Sequence, residues 1–170
     1  MQKIMTCLWF NMNAEEALQF YVSVFNGSPA KRHESKIISL DRFPDMPKDS
    51  PAAGLTGKVA QGIVELEGQR LMGFDGGPMF TFNEAASIYV QCETQEEVDY
   101  LWEKLSAVPE SEACGWLKDK FGVSWQIVPR ALNELMSGPD AEKTERVMQA
   151  MLAMKKLDIA ALRRAHDGKE

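Results

Sequence analysis

The chain has 170 residues, 45% of them hydrophobic, with a net charge of −6 and a pI near 5.1. That balance excludes charge-driven binding to nucleic acid or to an anionic membrane, since both need a basic face. No run approaches the roughly 18 apolar residues of a membrane span, and the N-terminal M-Q-K-I-M-T-C lacks a signal peptide's apolar core, so one compact cytoplasmic domain is the expectation.

Residues 3–10, K-I-M-T-C-L-W-F, predict a strand with Leu8 and Phe10 on one face and Met5, Cys7 and Trp9 on the other. Both faces are apolar, so both should be covered. Asn13 is placed to cap a helix, with Glu16 reaching back to the cap and Ala17, Phe20, Tyr21 and Val24 as its apolar stripe. Residues 29–38 can form a second strand. The following D-R-F-P-D-M-P-K-D-S-P-A-A-G is too rich in Pro and Asp for a regular element and reads as a binding loop or as flexible surface. Strand patterns resume at 58–66 and 69–75, joined by a tight hairpin at Gly68, and Gly76-Gly77-Pro78 breaks the chain.

At 86–92 the pattern returns, with Ile88, Val90 and Cys92 on one face and Ser87, Tyr89 and Gln91 on the other. Thr94 and Glu97 form a capping box that opens a helix with the stripe Val98, Leu101, Trp102 and Leu105. The two helix openings, N-A-E-E-A-L-Q-F-Y and T-Q-E-E-V-D-Y-L-W, match in cap, paired glutamates and stripe at a constant offset of 81 residues. The chain therefore reads as an α+β fold of two βαβββ modules, about 3–76 and 86–128.

In 114–130, C-G-W-L-K-D-K-F-G-V-S-W-Q-I-V-P-R, two short strands flank a turn at Asp119–Gly122. Trp125 and Ile127 take the core face; Ser124, Gln126 and Val128 take the other, where Gln126 is either an ordinary surface side chain or a functional one. Residues 131–170 form a helical extension of the same domain as 1–130. Its parts are a short segment at 131–137, a helix from Asp140 with Val147, Met151 and Met154 at helical spacing, and a last one capped by Asp158. The Met-rich stripe either packs on its own domain or makes a dimer contact. Cys7, Cys92 and Cys114, odd in number and without C-x-x-C, read as free thiols, and only His33 and His166 supply imidazoles.

The turn and strand at 119–128 resemble the Asp-x-x-Gly ending of modules in the vicinal-oxygen-chelate superfamily, which includes glyoxalase and bleomycin-resistance proteins. The run C-G-W-L-K-D-K-F-G-V-S-W-Q-I-V-P is similar to the PhnB-like branch, whose members are often labelled 3-demethylubiquinone methyltransferase-like. So are L-W-F-N-M-N-A-E-E-A-L-Q-F-Y, N-E-A-A-S-I-Y-V-Q-C and the tail 147–162, which extends the resemblance over nearly the whole chain. The resemblance implies that the modules pair curved sheets into a cleft and that chains commonly pair as homodimers. In metal-binding members a His on the first strand of each module and acids on later strands hold the ion. Those positions fall here at Met5 or Thr6, Ser87, Gln126 and, near the end of the fourth strand, Asp75, the single carboxylate among them.

The cleft candidates are Met5, Cys7, Trp9, Asp75, Ser87, Tyr89, Gln91, Ser124 and Gln126, with no catalytic residue assigned. No cofactor is predicted, and a divalent metal is disfavoured because amide and hydroxyl oxygens replace imidazole and carboxylate. Such a wall suits an uncharged or weakly polar organic ligand, or else fills a closed interior. The expected function is small-molecule binding in a metal-free cleft; the alternative is a metal-dependent lyase, isomerase or dioxygenase. Methyl transfer is disfavoured, since no Gly-rich strand-to-helix turn is present.

Overall fold

In β1 (Thr6–Phe10) the alternation turns Leu8 and Phe10 into the core and leaves Cys7 exposed, as seen in a computed structural model that describes residues 2–169. Two compact units make up the chain: one takes it to Gly27 and then Lys31–Phe82, the other takes Ser28–Ala30 and everything from Asn83.

The first unit runs β1, α1 (Ala14–Asn26), β2 (Lys36–Arg42), β3 (Val59–Leu66) and β4 (Gln69–Asp75). Its sheet has the order β1-β4-β3-β2, with β1 parallel to β4 and the other pairs antiparallel. The apolar side of α1 buries Ala17, Leu18, Tyr21 and Val24. Leu18 reaches the sheet where two glycines face each other across β3 and β4, Gly62 opposite Gly73. A Cβ on Gly62 would lie 2.5 Å from Leu18 Cδ1, and one on Gly73 would lie 2.9 Å from Phe10 Cε2, so the helix sits this close because both positions lack a side chain. The β3–β4 hairpin closes through Glu67 and Gly68, both at positive φ, the geometry that a two-residue turn between twisted strands requires.

Two expectations for this unit are corrected. The second strand lies at Lys36–Arg42 rather than 29–38, because the amides of Arg32 and His33 donate to the Glu67 carboxylate instead of to a neighbouring strand. Asn13 precedes α1 but its side chain makes no capping bond. The long polar excursion is tied at its base, where Phe43 N donates to Lys58 O and Gly57 N to Phe43 O, and it holds one 3-10 turn at Ala53–Leu55.

The second unit runs β5 (Ile88–Cys92), α2 (Gln95–Leu105), β6 (Trp116–Lys118), β7 (Ser124–Pro129), α3 (Arg130–Met136), α4 (Ala141–Leu152) and α5 (Ile159–Asp167). Its sheet has the order β5-β7-β6, again with the first strand parallel to the last. Here the cap forms: Thr94 Oγ1 accepts from Glu97 N at 3.2 Å, while Glu97 Oε2 reaches back one residue past the cap and accepts from Glu93 N at 2.7 Å. The fold is α+β with two mixed sheets, but this sheet has three strands where a βαβββ module has four. Between α2 and β6 the chain forms a 3-10 turn at Pro109–Ser111 and a single bridge from Ala113 to Trp116 in place of a further strand. Asp119 fixes the β6–β7 turn by accepting from the Phe121 and Val123 amides and from Trp125 Nε1.

The C-terminal helices belong to this unit's core. Val147, Leu157 and Leu162 pack with Val128 and Leu132, and Met151 and Met154 lie against them, so that part of the Met stripe covers its own domain. Polar bonds hold the same docking: Gln95 Nε2 donates to Leu157 O, Gln95 Oε1 accepts from Ile159 N, and the Cys114 and Gly115 amides donate to Met154 O and Lys155 O.

Candidate functional site

On the second unit, strand register brings most of the predicted polar residues to one sheet face. Tyr89 pairs with Gln126, and Gln126 in turn with Trp116, so these side chains share a face. Gln126 Nε2 donates to Ser87 Oγ at 2.9 Å, and the Tyr89 hydroxyl accepts from Asn133 Nδ2 of α3 at 3.1 Å. Gln91 is exposed, and so is Tyr89. Ser124 is buried with its hydroxyl lacking a partner, one pair-position along β7 from Gln126 and opposite Lys118. Lys118 is ion-paired with Glu84, and that bond holds the Glu84 carboxyl below the usual carboxylate range. At the far end the face closes, since Val128 lies in the core formed with the C-terminal helices.

On the first unit, Cys7 pairs with Met72 and Trp9 with Phe74, giving an apolar strip on the side of the sheet away from α1. The Trp9 ring meets Phe74 and Phe80 edge-on at 4.9 and 4.8 Å, and its Nε1 donates to Gly77 O at 2.8 Å. Met5 is half-buried beside this strip, while Cys7, Met79 and Phe80 are exposed. The expectation that both faces of β1 are covered therefore holds on the helix side alone. Partial burial of its sulfur raises the Cys7 thiol above its ordinary pKa.

Asp75 does not join that strip. Its register partner is Phe10, which puts it on the helix side, and it is 2% exposed. Oδ1 accepts from Ala14 N at 2.8 Å, in the first turn of α1, and Oδ2 accepts from Val59 N at 2.9 Å. The carboxylate thus caps α1 in place of Asn13, with its negative charge at the positive end of the helix. This corrects its assignment as a cleft residue.

The residues at the superfamily's metal positions do not fit a divalent ion. Asp75 spends both oxygens on backbone amides, Gln126 and Ser87 bond each other, and Met5 offers a thioether. Among the described residues no group of three or more His, Cys, Asp and Glu side chains is placed to hold a metal.

Sequence reasoning missed a second feature. A recess of about 560 Å³ opens in the first unit between the start of α1, the end of β2 and the closing end of the 43–58 excursion. Of the predicted site residues only Asp75 lines it, beside Asn13, Glu15, Arg42, Thr56 and Lys58. Arg42 Nη2 grips both oxygens of Glu15 at 2.8 and 2.9 Å. These residues come from separate segments with no motif in common, so no sequence signal marks them as neighbours.

Strand, helix and returning strands repeated in this order, with two mixed sheets, define an α+β protein of the glyoxalase type. The family model described as 3-demethylubiquinone-9 3-methyltransferase matches residues 2–128. A PhnB protein from Bacillus cereus, described as a 3-demethylubiquinone-9 3-methyltransferase, is 38% identical, with 75% of this chain and 99% of that one covered and a TM-score of 0.58. The chain belongs to this PhnB-type family. The protein PA1353 from Pseudomonas aeruginosa shares the fold at 22% identity, covering 74% of this chain and 95% of that one, with a TM-score of 0.54. No curated protein matches the chain. The family match ends at residue 128, so the tail likeness expected from 147–162 is not part of it.

Nothing supports the methyl-transfer activity in the family model's description. Gly76-Gly77-Pro78 leads into turns rather than a helix, and a Cβ on Gly76 would lie 2.2 Å from the Trp9 ring, so that glycine serves ring packing. Among the described residues no helix is long and apolar enough to cross a membrane.

Proposed function

We propose that the protein binds a small neutral organic molecule on the open face of the β5–β7–β6 sheet. The observation that supports this is the Gln126–Ser87 hydrogen bond, which sets an amide and a hydroxyl where the superfamily's metal-binding members carry a carboxylate and an imidazole. Such a pair keeps both a donor and an acceptor for a ligand without asking for a compensating charge. Tyr89, exposed beside it, offers an aromatic edge for the ligand's apolar part. The test is an amide-resonance titration with phenol. The expected result is a set of shifts confined to residues around 87–91 and 124–126, weakened about fivefold in Gln126→Ala, as the loss of one hydrogen bond requires. Shifts elsewhere only, or unchanged affinity in the variant, count against the reading.

Homodimerisation is proposed as the assembly. β1 and β5 are edge strands, and Met79 and Phe80 stand 75% and 59% exposed on the first unit, surface that a second copy would cover. Light scattering should give twice the chain mass at micromolar concentration; a monomer there would refute it.

A further inference from the structure

We propose that the open face of the β5–β7–β6 sheet selects a planar lactam or imide ring, a ligand with a hydrogen-bond donor and an acceptor side by side, and that Gln126 is the residue that reads the pair. The inference rests on the reading of that face as a neutral-ligand site and names the class of ligand it takes. Gln126 Nε2 spends one N–H on Ser87 Oγ at 2.9 Å. Among the described residues its second N–H and its Oε1 have no partner, and the Ser87 hydroxyl, which accepts that bond, keeps its own hydrogen to donate. The Ser87 bond orients the amide in advance, so its unused donor and acceptor are offered together. Gln126 is half-buried, which leaves this edge within reach of a ligand. An amide edge of this kind matches a partner with the complementary acceptor and donor on adjacent atoms, as glutamine does when it pairs with adenine.

The neighbours of Gln126 favour a flat ring. Tyr89 on β5 and Trp116 on β6 are its register partners to either side. Adjacent strands lie about 4.8 Å apart, so the two aromatic residues flank the amide about 10 Å from each other, and a ring stacked between two others needs about 7–8 Å. Tyr89 is 48% exposed and Trp116 half-buried, and the Tyr89 hydroxyl is held by Asn133 Nδ2 at 3.1 Å, which steadies that side of the slot.

The nearby charge is already matched, since Lys118, on the same face of β6 as Trp116, is ion-paired with Glu84. Ser124, 2% exposed, lies too deep to meet a ligand. Nothing beside the amide therefore calls for a charged ligand, while a ligand with a single polar group leaves half of the amide edge unmatched.

The test uses the full chain, with 2-pyridone, 4-pyridone, N-methyl-2-pyridone and phenol as neutral probes read by amide resonances of residues 87–91, 116 and 124–126. 2-Pyridone holds its N–H and carbonyl on adjacent atoms; 4-pyridone holds the same groups at opposite ends of the ring, and N-methyl-2-pyridone lacks the donor. 2-Pyridone is expected to bind about fivefold or more tightly than each of the others, as one further matched hydrogen bond implies. In Gln126→Ala that preference should vanish, with 2-pyridone and 4-pyridone binding alike. Equal affinity for the two isomers in the unaltered protein, or a preference that survives Gln126→Ala, would overturn the inference. Phenol shifts confined to the same residues would then leave the neutral-ligand reading standing, whereas a face that no probe shifts would remove both. The comparison of isomers is made on the unaltered protein, so it decides the matter even if Gln126→Ala fails to fold.

Discussion

Removing the Asp75 carboxylate should destabilise the first unit through two buried amides. Asp75→Ala strips the partner from Ala14 N and Val59 N, on residues 0% and 1% exposed, where water cannot replace it without rearrangement. An unsatisfied buried donor costs about 1–3 kcal/mol, so the pair amounts to about 2–6 kcal/mol. Loss of the negative charge at the helix N-terminus adds in the same direction. Asp75→Asn keeps one acceptor oxygen but turns an NH2 group toward the other amide, and should cost about 1–3 kcal/mol. At about 2–4 °C per kcal/mol for a chain of this length, melting should fall by roughly 4–24 °C for Ala, with Asn between Ala and the unaltered protein. Amide exchange at Ala14 and Val59, read in the same variants, should accelerate before that of Trp125 in the other unit. An Asp75→Ala protein that melts within about 2 °C of the original would refute the capping role, since no arrangement of two orphaned amides is that cheap.

Packing, pH and protection carry four shorter predictions. Gly73→Ala would push a methyl group into Phe10 and Leu18 and should cost about 1–3 kcal/mol in denaturant unfolding, whereas Gly138→Ala, with nothing within 4 Å, should be close to neutral. Gln95→Ala should free the C-terminal helices, seen as faster exchange or proteolysis at 153–167, because it orphans both Leu157 O and Ile159 N. The neighbouring Asp99–Lys156 bond lowers the Asp99 pKa, so its contribution is present above the unfolded value and is lost as pH falls through the folded one, below about pH 4; the same segment should loosen there. In alkylation of the native protein Cys92, 0% exposed and with its thiol pKa raised by burial and by Glu97 and Glu93, should stay unmodified, while Cys7 reacts and does so faster as pH rises past its elevated pKa. Modification of Cys92 before unfolding would contradict the packing of β5 against α2.

What the sequence makes legible is whatever repeats at short range. Alternation alone separates Leu8 and Phe10 from Cys7 and Trp9, and Trp125 and Ile127 from Gln126, because one face of each strand is pressed on a helix. Asp119 is readable as a turn residue because its partners lie within six positions. The position of β2 is not readable from 29–38, since it depends on Glu67 drawing the Arg32 and His33 amides away from a sheet. The recess is hidden for the same reason: Lys58, Arg42 and Asn13 meet only after the sheet forms. Even the Ser87–Gln126 contact, 39 residues apart, follows from the parallel pairing of β5 with β7 and not from either strand alone.

The two helix openings show how one motif leads to two mechanisms. Thr94 sits in extended geometry, φ −131° and ψ 162°, and its hydroxyl accepts from Glu97 N, as a capping residue does. Asn13 matches it in sequence, but it follows Met12 at a φ of 63° and has a ψ of 22°, and its side chain caps nothing. The strand ends explain the difference. β1 ends on Phe10 opposite Asp75, and β5 ends on Cys92 opposite Pro129, so the same place in the two sheets holds a carboxylate once and a proline once. Where the last strand supplies the acid, the helix needs no cap of its own; where it supplies Pro129, which has neither side-chain acceptor nor charge, Thr94 and Glu97 must do the work. Thr94→Ala should therefore cost about 1 kcal/mol, within the usual range for a lost cap, and Asn13→Ala should change stability by less than about 0.5 kcal/mol. Equal losses in the two variants, measured by denaturant midpoint, would mean that Asp75 does not carry the capping of α1.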